Sequence, residues 1–149
     1  MSMIEVQAGI LDVKANTRVC TINLVGAAGA GVAKEFRNNV PGWYTHYKKM
    51  YSKITPDQFI VYKFEGEIHL MVPTKIDWKE DSPRDLVMAN LEKLAKITRD
   101  NPAFGVIALP AFGCGNGGLN YYSDIRKHYV RLFENHPREF IVTLGRYTR

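Results

Sequence analysis

The fold is decided by residues 19–31, which read VCTINLVGAAGAG. Residues 19–25 are almost continuously apolar, and such a run predicts a strand that is covered on both faces. A glycine-rich stretch, residues 26–31, follows directly, and residues 32–37 predict a helix. This order brings bare backbone N–H groups and the positive end of a helix to one place, where phosphate oxygens can bind. A tight turn with close packing would give the same pattern, so this loop alone does not decide between the two.

A second glycine-rich stretch, GCGNGG at residues 113–118, follows a short buried strand predicted at residues 105–109. Glycine loses much backbone entropy on folding, so we expect a loop this rich in glycine to contact a ligand. In open α/β sheets, ligands bind beyond the carboxyl ends of the strands, and both loops follow strands in that sense. Together, the first glycine loop (residues 26–31) and the second glycine loop (residues 113–118) predict a diphosphate site.

The remaining segments predict a mixed sheet between helices. Apolar segments predict further strands at residues 3–11, 59–64, 68–72 and 140–144, and the middle two form a hairpin around Glu65-Gly66-Glu67. Helical periodicity predicts helices at residues 43–53, 82–98 and 122–134. Ser82 resembles an N-cap, with Pro83 at the first helical position. We therefore expect an α/β fold, a three-layer α/β/α sandwich with a central mixed sheet.

Length and composition indicate one folded domain. The chain has 149 residues, which predicts a single domain over residues 1–149. A formal charge of +5 favours polyanions, such as a dinucleotide, a nucleic acid or a phosphorylated partner. The densest basic stretch, residues 48–53, lies near three tyrosines and fits either a nucleic-acid patch or the solvated face of a helix.

Cysteine usage predicts a reducing compartment. The chain has two cysteines, Cys20 and Cys114, and neither a secretory signal nor an apolar run long enough to cross a bilayer is present. We expect a cytoplasmic protein with reduced thiols that makes no membrane contact, and a monomer as the default for a domain of this size. The four histidines lack metal-ligand spacing, so no metal or other cofactor is expected.

Three segments together resemble the macrodomains, the ADP-ribose-binding α/β family. They are NLVGAAGAGVA at residues 23–33, VPTK at residues 72–75 and ALPAFGCGNGGL at residues 108–119. The Thr-Lys pair after the hairpin is similar to the branch that contains the terminal ADP-ribose protein glycohydrolase and the macrodomain antitoxin that removes ADP-ribose from thymidine in DNA. The resemblance implies ADP-ribose or an ADP-ribosylated substrate as ligand, with DNA contact as a further expectation.

The resemblance also implies roles for particular residues. Lys75 corresponds to the catalytic lysine, Asn23 to a residue near the distal ribose, and the backbone of residues 29–32 to the diphosphate site. The second glycine loop is expected to wrap the distal ribose and phosphates. The implied ligand-binding set is Asn23, Gly26, Gly29, Ala30, Gly31, Val32, Gly113, Cys114, Gly115, Asn116, Gly117, Gly118 and Leu119.

Two positions depart from the family pattern. Many macrodomains bind adenine through an aspartate that follows a glycine near the start of the domain. Here the corresponding Gly9 is followed by Ile10, and Asp12 is a candidate substitute. The glycohydrolase carries an acid in its second glycine loop where this chain has Gly117. In that position the chain resembles the antitoxin form.

The chemistry implied is release of ADP-ribose at its anomeric carbon C1″, through a transition state with oxocarbenium character. Lys75 could act as a nucleophile if its pKa is lowered, or it could stabilise charge on the leaving group. An ADP-ribose 1″-phosphate phosphatase and a non-catalytic ADP-ribose reader are the alternatives. Cys114 fits loop packing better than a nucleophile, while Tyr121 and Tyr122 fit stacking on a ligand or simple packing equally well.

Overall fold

A six-stranded mixed sheet forms the middle layer of the fold. The computed structural model describes residues 3–145. The strands within this range are β1 (Met3–Val6), β2 (Thr17–Asn23), β3 (Ile60–Phe64), β4 (Glu67–Lys75), β5 (Ile107–Pro110) and β6 (Phe140–Thr143). They lie in the order β1-β6-β5-β2-β4-β3, and each pair is parallel except the antiparallel hairpin of β3 and β4.

Helices cover both faces of this sheet. Within the described range they are α1 (Gly31–Asn39), α2 (Trp43–Met50), α3 (Arg84–Arg99) and α4 (Arg126–Phe133). None of them is long and apolar enough to cross a membrane. One core cluster joins α3 and α4 to the sheet, and a second joins α1 and α2 to the opposite face. The α/β/α sandwich with a mixed sheet that the sequence predicts is confirmed.

Strand β2 is the centre of both core clusters, because it lies between β4 and β5. Val19 packs into the cluster beneath α3 and α4, whereas Cys20 and Ile22 pack into the other, and all three are buried. The predicted burial on both faces is confirmed. The strand ends at Asn23 rather than residue 25, because the Asn23 side chain accepts the N–H of Val25 and turns the backbone out of the ladder.

The prediction of a first strand over residues 3–11 was wrong beyond Val6. The cause is Arg18 on β2, whose guanidinium donates to the carbonyls of Ile10 at 2.8 Å and Val13 at 2.7 Å. The same guanidinium forms an ion pair with Glu67. Backbone that would otherwise extend β1 therefore folds across the start of β2.

The predicted N-cap of α3 was wrong, whereas the helix predicted from residue 122 is present but opens with a π-helical turn. Helix α3 begins at Arg84 with Pro83 at the N-cap, so Ser82 lies outside the helix and makes no capping hydrogen bond, and its N–H donates to the carbonyl of Gly117 at 2.9 Å. Helix α4 is preceded by a π-helical turn, Tyr121–Ile125, whose start is capped by Asn120. The contact of Ser82 with Gly117 lies beside the start of α3, and the side chain of Asn120 caps the turn before α4. Helical periodicity in the sequence shows neither contact.

Strand β4 carries an irregularity that decides where its last residue lies. Ile22 of β2 pairs with Pro73, but Asn23 pairs with Lys75, so the register shifts by one residue at Thr74. Proline has no N–H to donate to a ladder, and a bulge accommodates it. The carbonyl of Pro73 accepts a hydrogen bond from buried Asn90 of α3 at 2.7 Å. Asn90 thus fixes the strand at the point where its register changes.

We expect Asn90→Leu to destabilise the fold. The Asn90 amide also donates to the carbonyl of Pro56 at 3.0 Å, so the variant leaves carbonyls without their partner. A buried unsatisfied acceptor costs about 1–3 kcal/mol. Urea denaturation should therefore show a loss of about 2 kcal/mol in the free energy of unfolding. Lys96→Leu, on the exposed side of the same helix, is the matched control, and an equal loss in both variants would contradict the assignment.

Candidate functional site

An open pocket lies at the carboxyl ends of β2, β4 and β5, between the two glycine loops, and has a volume of about 1340 Å³. Most of the residues that the resemblance assigns to the site line this pocket. They are Asn23, Gly26, Gly29, Ala30, Gly31, Val32, Lys75, Gly113, Cys114, Asn116 and Gly117. Three others, Gly115, Gly118 and Leu119, do not line it. They form the back of the second glycine loop, where the N–H of Leu119 donates to the carbonyl of Gly113 at 2.9 Å.

The Asn23 side chain holds the first glycine loop. Its Oδ1 accepts the N–H groups of Val25 at 3.1 Å and Ala27 at 3.2 Å, and its Nδ2 donates to the carbonyl of Ala27 at 2.8 Å. The hydroxyl of Tyr47 lies 2.7 Å from the Asn23 carbonyl and 2.8 Å from its Oδ1. Burial raises the pKa of Tyr47, which keeps this hydroxyl a donor. The Asn23 side chain is therefore hydrogen-bonded to its own loop and to Tyr47 of α2.

The first glycine loop leads into the amino end of α1, which opens onto the pocket. Ala30 occupies the N-cap position, and no side chain caps the helix. The first N–H groups of a helix have no intrahelical partner, and they carry the positive end of its dipole. Gly29 leaves the approach open, because a Cβ built there meets nothing within 4 Å. This end of the pocket can accept an anion against bare backbone.

Lys75 lies at the junction of the two loops. Its Nζ donates to the carbonyl of Asn116 at 2.7 Å and to the carbonyl of Trp78 at 3.3 Å. Desolvation by burial lowers the pKa of Lys75, and the carboxylate of Asp81 opposes this by raising it. The amine is thus half-buried, held by two carbonyls and close to one carboxylate.

Gly117 allows the second glycine loop to pack against the segment that follows β4. A Cβ built on Gly117 would lie 2.6 Å from Oγ of Ser82 and 4.0 Å from Cε of Lys75. Ser82 is buried, and its Oγ has no hydrogen-bond partner among the described residues. A side chain at position 117 would therefore require Ser82 to move.

Asp81 supplies an acid beside Lys75 from the opposite side. A Cβ built on Gly118 would lie 2.8 Å from Oδ1 of Asp81, and Gly118 has a φ of 86° that disfavours any side chain. The carboxylate therefore packs directly on the backbone of the second glycine loop. Sequence reasoning missed this residue, because it lies in a polar loop and nothing in the local pattern pairs it with Lys75.

The far end of the pocket contains the segment after β1. Ile10 is buried and lines the pocket, and Asp12 lines it as well, while its Oδ2 accepts the N–H of Gly9 at 3.3 Å. Tyr121 and Tyr122 do not line the pocket. Tyr121 is fully buried in the core, and Tyr122 is 61% exposed elsewhere on the surface, so the packing interpretation holds for Tyr121.

Comparison with known proteins agrees with this geometry, although no family model matches the chain. A DNA ADP-ribosyl glycohydrolase from Mycobacterium tuberculosis is 32% identical over 125 residues, which cover 80% of this chain and 35% of that protein. A DNA ADP-ribosyl glycohydrolase from Thermus aquaticus is 30% identical over 120 residues, covering 76% of this chain and 33% of that protein. The chain thus spans about a third of the length of the curated relatives it matches.

Solved structures give the same result for the fold. The macrodomain of Thermus aquaticus DarG matches with a TM-score of 0.84 and 26% identity, covering 95% of this chain and 97% of that one. Thermosipho africanus DarTG, solved in complex with ADP-ribose, matches with a TM-score of 0.87 and 21% identity, covering 99% of this chain and 43% of that one.

The mixed sheet, the helices on both faces and the pocket between two glycine loops define a macrodomain. The chain belongs to the macrodomain superfamily, as the sequence resemblance implies. Within that superfamily, its relatives by sequence and by structure place it with the DarG macrodomains.

Proposed function

We propose that this macrodomain binds ADP-ribose and removes it from thymidine in DNA. The observation that carries the proposal is Lys75, whose amine lies 2.7 Å from the carbonyl of Asn116 in a pocket lined by both glycine loops. The relatives named DNA ADP-ribosyl glycohydrolase support DNA rather than protein as the carrier of the modification. The formal charge of +5 favours association with a polyanionic substrate.

The diphosphate of ADP-ribose is proposed to bind at the amino end of α1. The backbone of Gly29, Ala30, Gly31 and Val32 lines the pocket there, and helix amino ends attract phosphate. Asn116 faces the same place, since its Nδ2 lies 3.3 Å from a Cβ built on Gly31. The two loops would then hold the diphosphate from opposite sides.

Gly29→Ala tests this placement. Since a Cβ at Gly29 meets nothing in the structure, its free energy of unfolding should stay within about 0.5 kcal/mol of wild type. The affinity for ADP-ribose, measured by calorimetry, should fall about tenfold, because the methyl group occupies the space of the ligand. Gly66→Ala is a control with the opposite expectation. Gly66 has a φ of 80° in the distant hairpin, so this variant should have a lower free energy of unfolding but the same affinity for ADP-ribose. Unchanged affinity of Gly29→Ala would contradict the placement.

In the proposed chemistry, the neutral amine of Lys75 attacks C1″ as the bond from C1″ to the base breaks. The base leaves with the electron pair of that bond and gains a proton, and water then releases ADP-ribose from the amine. Desolvation favours this role, because it lowers the pKa of Lys75 and increases the neutral fraction near neutral pH. The transition state would have oxocarbenium character.

Lys75→Ala should abolish release while ADP-ribose still binds. Loss of a nucleophile lowers the rate by at least about 10³-fold, whereas most binding contacts come from the loops. The assay compares three substrates, which are ADP-ribosylated thymidine DNA, glutamate-linked ADP-ribosyl protein and ADP-ribose 1″-phosphate. Lys63→Ala is the control, since Lys63 pairs with Ile68 at the opposite end of β4. Phosphate release from the third substrate would favour the phosphatase, and binding without turnover would favour a reader.

The pH dependence distinguishes a nucleophilic lysine from an electrostatic one. The carboxylate of Asp81 raises the pKa of Lys75, so Asp81→Asn lowers that pKa further. If the neutral amine reacts, the rate increases with pH, and Asp81→Asn shifts this increase to lower pH. At a pH below the wild-type midpoint, the variant should therefore be faster. A variant that is slower at every pH and loses activity as pH rises would show that Lys75 acts as a cation.

We further propose that residues 1–149 form one macrodomain unit, which acts as a monomer in a reducing cytoplasm. The proposal of a reducing compartment rests on the two thiols, Cys20, which is buried, and Cys114, which is half-buried beside the pocket. Gel filtration with light scattering tests the oligomeric state, because a stable dimer would elute at twice the mass of 16.9 kDa.

A further inference from the structure

Trp78 is an exposed aromatic residue at the mouth of the pocket. Its side chain is 54% exposed, whereas the second tryptophan, Trp43, is fully buried in the core. Among the large hydrophobic residues that are exposed in the described range, Trp78 is the one that lines the pocket. Tyr122 is similarly exposed but lies outside the pocket. Nothing in the packing of the fold accounts for the exposed indole of Trp78.

The backbone fixes Trp78 next to the reactive amine. Its carbonyl accepts the hydrogen bond from Nζ of Lys75 at 3.3 Å. The loop that carries it is ordered by two further hydrogen bonds, from the N–H of Lys79 to Oδ1 of Asp77 and from the N–H of Leu24 to the carbonyl of Ile76. The backbone of Trp78 is therefore held beside Lys75, and its exposed ring lines the same pocket.

We propose that Trp78 stacks on the nucleobase next to the modified thymidine. The inference rests on the proposed function, in which the base bonded to C1″ reacts at Lys75. Neighbouring bases of one strand are separated by a single sugar–phosphate unit, so the next base can reach the rim of the same pocket. Stacking on an exposed aromatic ring requires a base that is free of its duplex, because paired bases are already stacked.

The charges of the loop favour a base over a phosphate as the group that contacts Trp78. Nζ of Lys79 lies 5.7 Å from the centre of the Trp78 ring, but Asp77, Glu80 and Asp81 lie in the same loop. These three carboxylates outnumber the nearby amines of Lys75 and Lys79 and would disfavour a phosphate placed there. A planar, uncharged base is accepted by the ring regardless of sequence. The contribution of Trp78 to affinity should therefore depend little on salt.

The test uses binding of an unmodified ten-nucleotide single strand, which needs no turnover. Wild-type protein should show quenching of its tryptophan fluorescence, since Trp78 is exposed while Trp43 is buried. By fluorescence anisotropy with a labelled strand, Trp78→Ala should bind about tenfold more weakly, and Trp78→Phe should retain most of the affinity. Tyr122→Ala is the matched control for loss of an exposed aromatic ring and should bind like wild type.

Two measurements separate this inference from the proposed function. Calorimetry with ADP-ribose should give the same affinity for Trp78→Ala and wild type. On an ADP-ribosylated strand, Trp78→Ala should raise KM and leave kcat unchanged, and on ADP-ribosylated thymidine alone it should change neither. Equal strand affinity in Trp78→Ala and wild type, tighter binding of duplex than of single strand, or absence of quenching at millimolar strand would overturn the inference. Failure of wild type to hydrolyse any substrate, with quenching intact, would overturn the proposed function alone.

Discussion

The site depends on one change of register between β2 and β4. Because Pro73 cannot donate to the ladder, the pairing skips Thr74, and Lys75 comes to lie opposite Asn23. Asn23 holds the first glycine loop, and Lys75 reaches the second through the carbonyl of Asn116. In a regular strand Thr74 would take that position, and the side chain of Lys75 would point to the other face of the sheet. A bulge next to a functional site is a common way to re-aim a side chain.

The two loops are fixed by different means. The first is held from within, by the hydrogen bonds of Asn23 and by the hydroxyl of Tyr47 from α2. The second is held from behind, where the carbonyl of Gly117 accepts the N–H of Ser82. Most of these bonds use groups that a ligand would otherwise have to satisfy. The amino end of α1 has no such partner and is left open. Because the walls of the site are already ordered, binding of a ligand causes a smaller loss of conformational entropy.

The sequence was sufficient for features that depend on local pattern. The apolar run before Gly26 predicted the central strand, and the glycine loops predicted the pocket at its carboxyl end. The pattern could not predict Asp81 or Trp78, because their importance arises from contacts with Lys75 and Gly118 that form only in the folded chain. The prediction that Ser82 caps α3 was wrong for a similar reason, because the contact of Ser82 with Gly117 forms only in the folded chain. The bond from Lys75 to Asn116 joins residues far apart in sequence, and no periodicity encodes it.

One segment, residues 76–82, contacts both Lys75 and the second glycine loop, and it carries Trp78 at the mouth of the pocket. It carries the carbonyl of Trp78 that accepts from Lys75, the carboxylate of Asp81 that raises the pKa of Lys75, and Ser82, which packs on Gly117. The acid beside Lys75 thus comes from the loop after β4 rather than from the second glycine loop. In the proposed complex, a DNA strand stacked on Trp78 would contact the segment that also carries the groups beside the amine of Lys75. Because Trp78 contacts Lys75 through its backbone carbonyl, its ring can be removed without removing the groups that set the reactivity of the amine.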